Sequence, residues 1–443
     1  MCPTKCNLSS VKEKAFQFNK RIKVNFTGGE LSSDSGHLIF KEFDEKLGFS
    51  KTLAHHLVLN DSRKSPDYSN EQLLRQKIYQ LLAGYSEDDA ADALIHDPVF
   101  TQVVESPTLA SQPTLSRFYD RFDPNALDQL GVANQKLLDK VHRYRKNPAL
   151  ILDLDSTHVD AYGKQESSDY NAHYGTIGFH PLVAFDGTTG DFLKAKRRPG
   201  NRYTSHGVVD FVRPNLEHDN EHFPETTPFV RADSGFATPD LYQLCEDESV
   251  FYTIRLKTHA VLLRMAEELH PNDAPIGKTQ CSYEEIVYQA KSWDKPRRVA
   301  VQSIRPANEL FFTHTFIVTN LVDCFSPKQI FQTYQKRGTM ENYIKEAKSG
   351  FNLDHLSSHE FQTNEVRLML SLLAYNLTNW MRTLTFPEKQ KAMRIETIRT
   401  RIVKVASKRV RSGRSLYFKL SSSFVYQAFF WNVLSRIQKL QIE

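Results

Sequence analysis

A chain of 443 residues, 40% apolar and 25% charged, holds enough apolar material for two or three folded cores and is not wholesale disordered. Its five cysteines (Cys2, Cys6, Cys245, Cys281 and Cys324) are too few and scattered for a disulfide framework, and Cys2 with Cys6 gives only half a zinc site. The net charge of +5 does not by itself announce nucleic acid, and without an apolar leader or a ~20-residue apolar span the expected place is a reduced cytosol, with no membrane partner.

Residues 1–145 read mainly as helices. Apolar residues at Leu74, Ile78, Leu81 and Leu82 predict a helix over 71–82, and a second begins near Ser86. A third starts at Ser111-Gln112-Pro113, with Leu115, Phe118 and Phe122 on its apolar face and Thr114, Arg117 and Arg121 elsewhere. Such a basic-faced helix could serve DNA recognition, but more often it is simply part of a bundle.

From Ala149 the pattern changes. Ala149 to Asp155 reads as a buried strand, and Phe179 to Phe185 and Asp191 to Lys196 as a hairpin around Asp186-Gly-Thr-Thr-Gly190. Ser205 to Leu216 predicts a helix, Pro228 to Ala232 a strand, Thr238-Pro239 a helix start, and Val250 to Leu256 another strand. The order β-β-β-α-β-α-β is that of a mixed α/β sheet. Residues 260–320 are strand-rich, best at 298–304 and 310–319, and read as an insertion. A long helical pattern runs from Ser326-Pro327 to about Lys348, and an apolar helix covers Val366 to Met381.

Charge is unevenly spread. Between Pro387 and Leu420 lie eleven basic and two acidic residues, a net +9, so the remaining chain carries −4. Lys194, Lys196, Arg197, Arg198 and Arg202 form a second basic cluster around Pro199-Gly200. Two such concentrations suit a polyanion, and Lys408, Arg409 and Arg411 are expected to meet its phosphates from a basic hairpin.

Carboxylates stand where an open α/β sheet carries its chemistry. Asp155 ends the first strand with Asp153 on the same face; Asp233 follows a short strand in Arg231-Ala-Asp-Ser-Gly235; Glu341 lies on the long helix. On one helix, Tyr334, Arg337, Glu341 and Lys348 fall within a face about 60° wide, with Gly338 as a weak point. Acidic oxygens converging from different elements are what Mg²⁺ prefers.

The spacing Tyr-x₂-Arg-x₃-Glu-x₆-Lys at Tyr334, Arg337, Glu341 and Lys348 resembles the YREK signature of insertion-sequence DDE transposases. Leu152-Asp-Leu-Asp-Ser-Thr157 is similar to that superfamily's first-aspartate strand and Ala232-Asp-Ser-Gly-Phe236 to its second. Arg198-Pro-Gly-Asn201 and the helix with Asn364 and Ala374-Tyr-Asn-Leu377 also look like its members. The resemblance covers roughly residues 20 to 420. It implies a ribonuclease-H-like α/β core (146–259 and 323–385) split by a β-rich insertion (260–322). A helical DNA-binding region (1–145) precedes it and a basic segment (386–443) follows. It implies catalytic and metal-ligating roles for Asp155, Asp233 and Glu341 toward two Mg²⁺ ions, with Mn²⁺ as substitute. Asp153 is the competing first ligand; Asp155 is preferred because Ser156-Thr157 follow it. Tyr334, Arg337, Lys348, Arg198 and Arg202 would contact DNA. Cleavage of terminal inverted-repeat DNA, joining to target DNA, a homodimer on the paired ends and the bacterial cytosol as place of action complete the expectation. Competing readings are a structure-specific nuclease on the same core, a non-catalytic transposase-derived DNA-binding protein, and a haloacid-dehalogenase-like phosphatase built on Asp153-x-Asp155. The last lacks the later acidic pair that it requires.

Overall fold

The computed structural model describes residues 13–269 and 277–442, so Cys2 and Cys6 lie outside the described residues. The chain divides into two compact units. One gathers Met1–Lys46, Arg63–Phe118 and Thr385–Leu440; the other gathers Leu47–Ser62, Tyr119–Leu384 and the last three residues. The helical N-terminal region and the basic C-terminal segment, separate in sequence, thus share one unit.

That first unit is built on helices α1 (His37–Leu47), α2 (Asn70–Ala83) and α3 (Gln112–Tyr119). Helix α2 forms where the periodicity predicts it, opened by a Ser69–Gln72 capping box and closed by left-handed Gly84. The helix expected near Ser86 reduces to Ala90–Leu94. In α3, Leu115 and Phe118 are buried, as their spacing demands, while Arg117 is exposed. Gly36 passes the C-terminal segment so closely that a Cβ there would sit 1.9 Å from the Ile402 carbonyl oxygen. The basic segment contains the expected hairpin, an antiparallel ribbon of Ser407–Ser412 and Ser415–Leu420. Its first strand also pairs with Leu31–Ser32.

The second unit is organised by one eight-stranded sheet: β1 (Ala149–Ser156), β2 (Leu182–Asp186), β3 (Phe192–Lys196), β4 (Thr227–Ala232), β5 (Phe251–Leu256), β6 (Gln280–Tyr288), β7 (Arg297–Arg305) and β8 (Thr313–Thr319). Its order is β6-β7-β8-β5-β4-β1-β2-β3. Strands β1, β2 and β3 pair antiparallel, while β4 and β5 run parallel to β1. The 3-2-1-4-5 order with these senses is the ribonuclease-H-like fold. The segment read as a β-rich insertion extends this sheet, since β8 pairs directly with β5. Strand pairing has absorbed it, and a helix (Ala260–Leu269) that its sequence did not announce precedes it. The strand expected over 179–185 is also divided. His180-Pro181 separates β2 from a small sheet of Val159–Asp160, Asp169–Asn171 and Thr176–Phe179.

Helices α4 (Pro124–Arg145), α5 (Val208–His222), α6 (Pro239–Asp247), α7 (Pro327–Gln335), α8 (Gly338–Phe351) and α9 (Phe361–Thr385) belong with the sheet. No helix among the described residues is long and apolar enough to cross a membrane. The apolar α9 carries polar groups that the sheet needs. The Asn376 side chain accepts from the Phe192 amide at 2.7 Å and donates to the Phe192 carbonyl at 2.8 Å. Arg382 of α9 grips both oxygens of Glu346 at 2.8 and 2.9 Å, with both side chains buried, which pins α8.

Candidate active site

Parallel pairing of β1 with β4 sets Arg231 opposite Asp153 and Ala232 opposite Leu154. One residue further along the same register, Asp233 comes beside Asp155 at the C-terminal ends of neighbouring strands. The two aspartates of β1 differ in what surrounds them. Asp153 is fully buried, and both its oxygens accept from Arg231, from Nε and Nη2, each at 2.6 Å. Arg231 also donates to the Thr333 carbonyl of α7 at 2.9 Å, so this ion pair ties β1, β4 and α7 together. Gly187 must be glycine here, since a Cβ would meet Arg231 Nη2 at 2.1 Å and Asp153 Oδ2 at 2.4 Å.

Asp155 stands at the mouth of a cavity of about 690 Å³ that Asp233 also lines. Its Oδ1 accepts from the Ser156 amide at 2.9 Å and lies 3.2 Å from Arg337 Nη2. Burial pushes the Asp155 carboxyl up to about 6. Arg337 opposes the rise, and the Asp233 and Glu341 charges add to it. Asp233 caps the short 3₁₀ turn Ser234–Phe236 by accepting from the Gly235 amide at 2.8 Å.

The helix expected to run unbroken from Pro327 to Lys348 breaks at Lys336–Arg337, where three-residue hydrogen bonds (Arg337 N to Tyr334 O, Met340 N to Arg337 O, each 2.9 Å) replace the α-helical ladder. Gly338 follows the break. Tyr334 therefore lies on α7, Arg337 in the break, and Glu341 and Lys348 on α8. Arg337 is buried and also donates to the Leu154 carbonyl at 3.1 Å. The half-buried Tyr334 ring packs on the cluster of Phe229, Ile317, Ile330 and Phe331. Burial raises its phenol, with smaller contributions from the Asp233 and Asp155 charges. Lys348 donates to the His158 carbonyl at 2.6 Å, holding the loop after β1, and burial lowers its ammonium. Glu341 sits in the first turn of α8 with its side chain 60% exposed and Lys345 at 3.8 Å. Among the described residues, no three His, Cys, Asp or Glu side chains converge closely enough to hold a metal ion.

Basic residues singled out in the sequence have diverse surroundings. Arg202 is exposed and lines the cavity. Arg198, expected on DNA, is buried and donates to the carbonyls of His180, Tyr203, Thr204 and His206; its guanidinium shapes the loop from inside. Its neighbour Arg197 is likewise internal, lying between the Phe179 and Phe361 rings at 3.5 and 4.1 Å. In the first unit Lys408 and Arg411 are exposed, whereas Arg409 pairs with both oxygens of Glu30 at 2.6 and 2.7 Å.

Sequence reasoning missed the cavity's other wall. Tyr170 comes from the small sheet, His173 and Tyr174 from the turn between two of its strands, and Lys257 from beyond β5. The Tyr174 ring stacks on His158 at 4.7 Å and meets His173 edge-on at 4.8 Å. Burial raises its phenol, and the Asp155 and Asp233 charges raise it further. The density of Tyr and His between 158 and 180 was the available sign, but strands of two to four residues show no periodicity.

Curated protein sequences give no match to the chain. Among solved structures it is similar to the piggyBac transposase in a cryo-EM structure of a synaptic complex with hairpin DNA. The identity is 12%, the TM-score is 0.45, and the match covers 84% of this chain and 80% of that one. The family model described as transposase DDE domain group 1 matches residues 14–442. A match over nearly the whole length settles membership: the chain belongs to the DDE transposase family, group 1.

Proposed function

We propose that this transposase cleaves transposon-end DNA and joins it to target DNA by metal-dependent phosphodiester chemistry, with Asp155, Asp233 and Glu341 as its catalytic carboxylates. The observation that carries the reading is the pairing of Asp155 and Asp233 at adjacent parallel strand ends, both lining one cavity. Asp155 is preferred over Asp153 because Arg231 already takes both Asp153 oxygens.

The donor set fits a hard divalent cation. Two neighbouring carboxylates, one raised to about 6 by burial and further by the other's charge, would be relieved by Mg²⁺, or by Mn²⁺ in its place. Bound there, such ions would activate water or a 3′-hydroxyl for in-line attack and stabilise the leaving oxygen. Asp155 and Asp233 would be ligands from the sheet and Glu341 the ligand from α8. Arg337 orients Asp155 and neutralises part of its charge. Lys348 fixes the loop after β1. Tyr334 presents a hydroxyl rather than a stacking face, since its ring is packed on the core. Exposed Arg202 meets the DNA backbone at the cavity, and Lys408 meets it from the ribbon. Pairing of two ends calls for a homodimer on DNA, and the place of action is the bacterial cytosol.

The test incubates purified protein with DNA carrying the element's terminal inverted repeats, in Mg²⁺ and in EDTA. Nicking and joining at the ends are expected with Mg²⁺ only, and lost in Asp155→Asn, Asp233→Asn and Glu341→Gln while DNA binding survives. Indiscriminate cutting without joining would replace the reading by a nuclease. Binding without cleavage under any metal would remove the enzymatic claim.

A further inference from the structure

The ribbon has two chemically different faces. Cross-strand partners in an antiparallel pair project to the same side, and the sides alternate along the strand. Arg409 lies opposite Phe418, and Arg411 opposite Leu416. This side has its own anion, because Glu30 holds Arg409 at 2.6 Å and also feels the Arg411 charge. Lys408 lies directly opposite Lys419 and Val410 opposite Tyr417, with Leu31 beside Lys408 on the next strand. Here Lys408 and Lys419 are exposed, Tyr417 is 50% exposed and Leu31 55% exposed. Among the described residues no carboxylate pairs with either lysine, and neither ribbon strand contains an acidic residue.

Two ammonium-bearing side chains directly opposite each other are unfavourable in an isolated sheet, where an opposite charge would be stabilising. Two other cations of the segment have internal partners. Arg399 donates to the Leu81 and Leu82 carbonyls that end α2, and Lys404 reaches Asp34 at 2.5 Å. On the ribbon, the side of Arg409 and Arg411 thus shares Glu30, whereas the exposed lysine pair has no carboxylate partner among the described residues; exposed Arg414 lies at the turn. We infer that the Lys408–Lys419–Tyr417 face of the ribbon is a sequence-independent contact surface for the sugar–phosphate backbone of duplex DNA, and that the Arg409 face is not. The two lysines, with Cβ atoms about 5 Å apart, reach neighbouring phosphates of one strand, and the Tyr417 hydroxyl donates to a third oxygen.

This inference rests on the chain acting on DNA, but it is tested apart from catalysis. Binding of two labelled duplexes of unrelated sequence, each about three helical turns long, is measured by fluorescence anisotropy in EDTA across a range of NaCl. Lys408→Ala/Lys419→Ala is expected to lower the slope of log K against log salt by about 1.8, at roughly 0.9 per phosphate contact, and equally for both duplexes. Lys408→Arg/Lys419→Arg should restore the slope, which rules out misfolding as the cause. Glu30→Gln/Arg409→Gln, which removes the internal pair without changing net charge, should leave it unaltered. An unchanged slope in the alanine variant, or an equal drop in the Glu30/Arg409 variant, overturns the inference. So does a loss confined to one duplex, which would mean base readout, or a shift in apparent mass on gel filtration with the slope intact, which would make the face a contact between copies. A protein that loses slope as expected yet never nicks DNA would count against the cleavage reading alone.

Discussion

Asp153→Asn and Asp155→Asn are expected to part cleanly, one through stability and the other through chemistry. Asp153 and Arg231 are 0% and 1% exposed and joined by two contacts of 2.6 Å. Replacing the carboxylate by an amide leaves the guanidinium buried without its counter-charge, which costs about 3–5 kcal/mol. For a unit of this size that lowers the melting temperature by roughly 10 °C. Burial pushes the Asp153 carboxyl up to about 6 as well, but Arg231 meets both its oxygens. Asp155 instead has one contact of 3.2 Å with Arg337 and the Asp233 charge beside it. Its carboxyl rises from 3.8 to about 6, so ionising it within the fold is disfavoured by ~3 kcal/mol. Part of that is returned when its contact with Arg337 is lost. At pH 8 in EDTA, Asp155→Asn should therefore be as stable as the wild type or about 1–2 kcal/mol more so, while end cleavage in Mg²⁺ vanishes. Thermal and urea denaturation followed by circular dichroism give the stabilities, and the cleavage assay the activities. The reasoning fails if Asp155→Asn loses as much stability as Asp153→Asn. It fails equally if Asp153→Asn melts like the wild type and is catalytically dead.

Two further expectations concern each unit by itself. Burial, with Asp139 and Asp186 nearby, pushes Asp219 of α5 up to about 8. Its folded pKa lies above the unfolded one, so its contribution is fully present below about pH 4 and is lost as pH rises through 8, by up to ~5 kcal/mol. Asp219→Asn should flatten that decline and stabilise the protein most at pH 8 and above; a variant with the wild-type pH profile would refute the assignment. In the first unit, Gly36→Ala forces a methyl against the Ile402 carbonyl and should destabilise by about 1–3 kcal/mol or more. Unaltered hydrogen-exchange protection of α1 and of the segment around Ile402 would count against that contact.

Much of the second unit was legible because its strands are short runs of buried apolar residues with clear breaks. The Asp186–Gly190 turn forms as read: Asp186 accepts from the Thr188 amide at 2.8 Å and the Thr189 hydroxyl at 2.9 Å. The helix break at Lys336–Arg337 was less legible, since Gly338 was its sole sign and apolar spacing continues through it. Nothing in residues 280–319 says whether they fold apart or join the sheet. That depends on β8 finding the free edge of β5, a contact between segments about 60 residues apart.

Read alone, the sequence determined which carboxylates stand at strand ends, that a basic segment lies near the C-terminus, and that motif order points to one family. These are local properties, set by side-chain period and by residue order. Tertiary structure decided which charges are available. The register of β1 against β4 gives Asp153 to Arg231 and leaves Asp155 facing Asp233. The net +9 segment is likewise divided. Arg399, Lys404 and Arg409 are engaged by a helix end, Asp34 and Glu30, while Lys408 and Lys419 face outward together. A formal charge is fixed by composition, but its freedom to meet a phosphate depends on the partners that distant parts of the chain bring beside it.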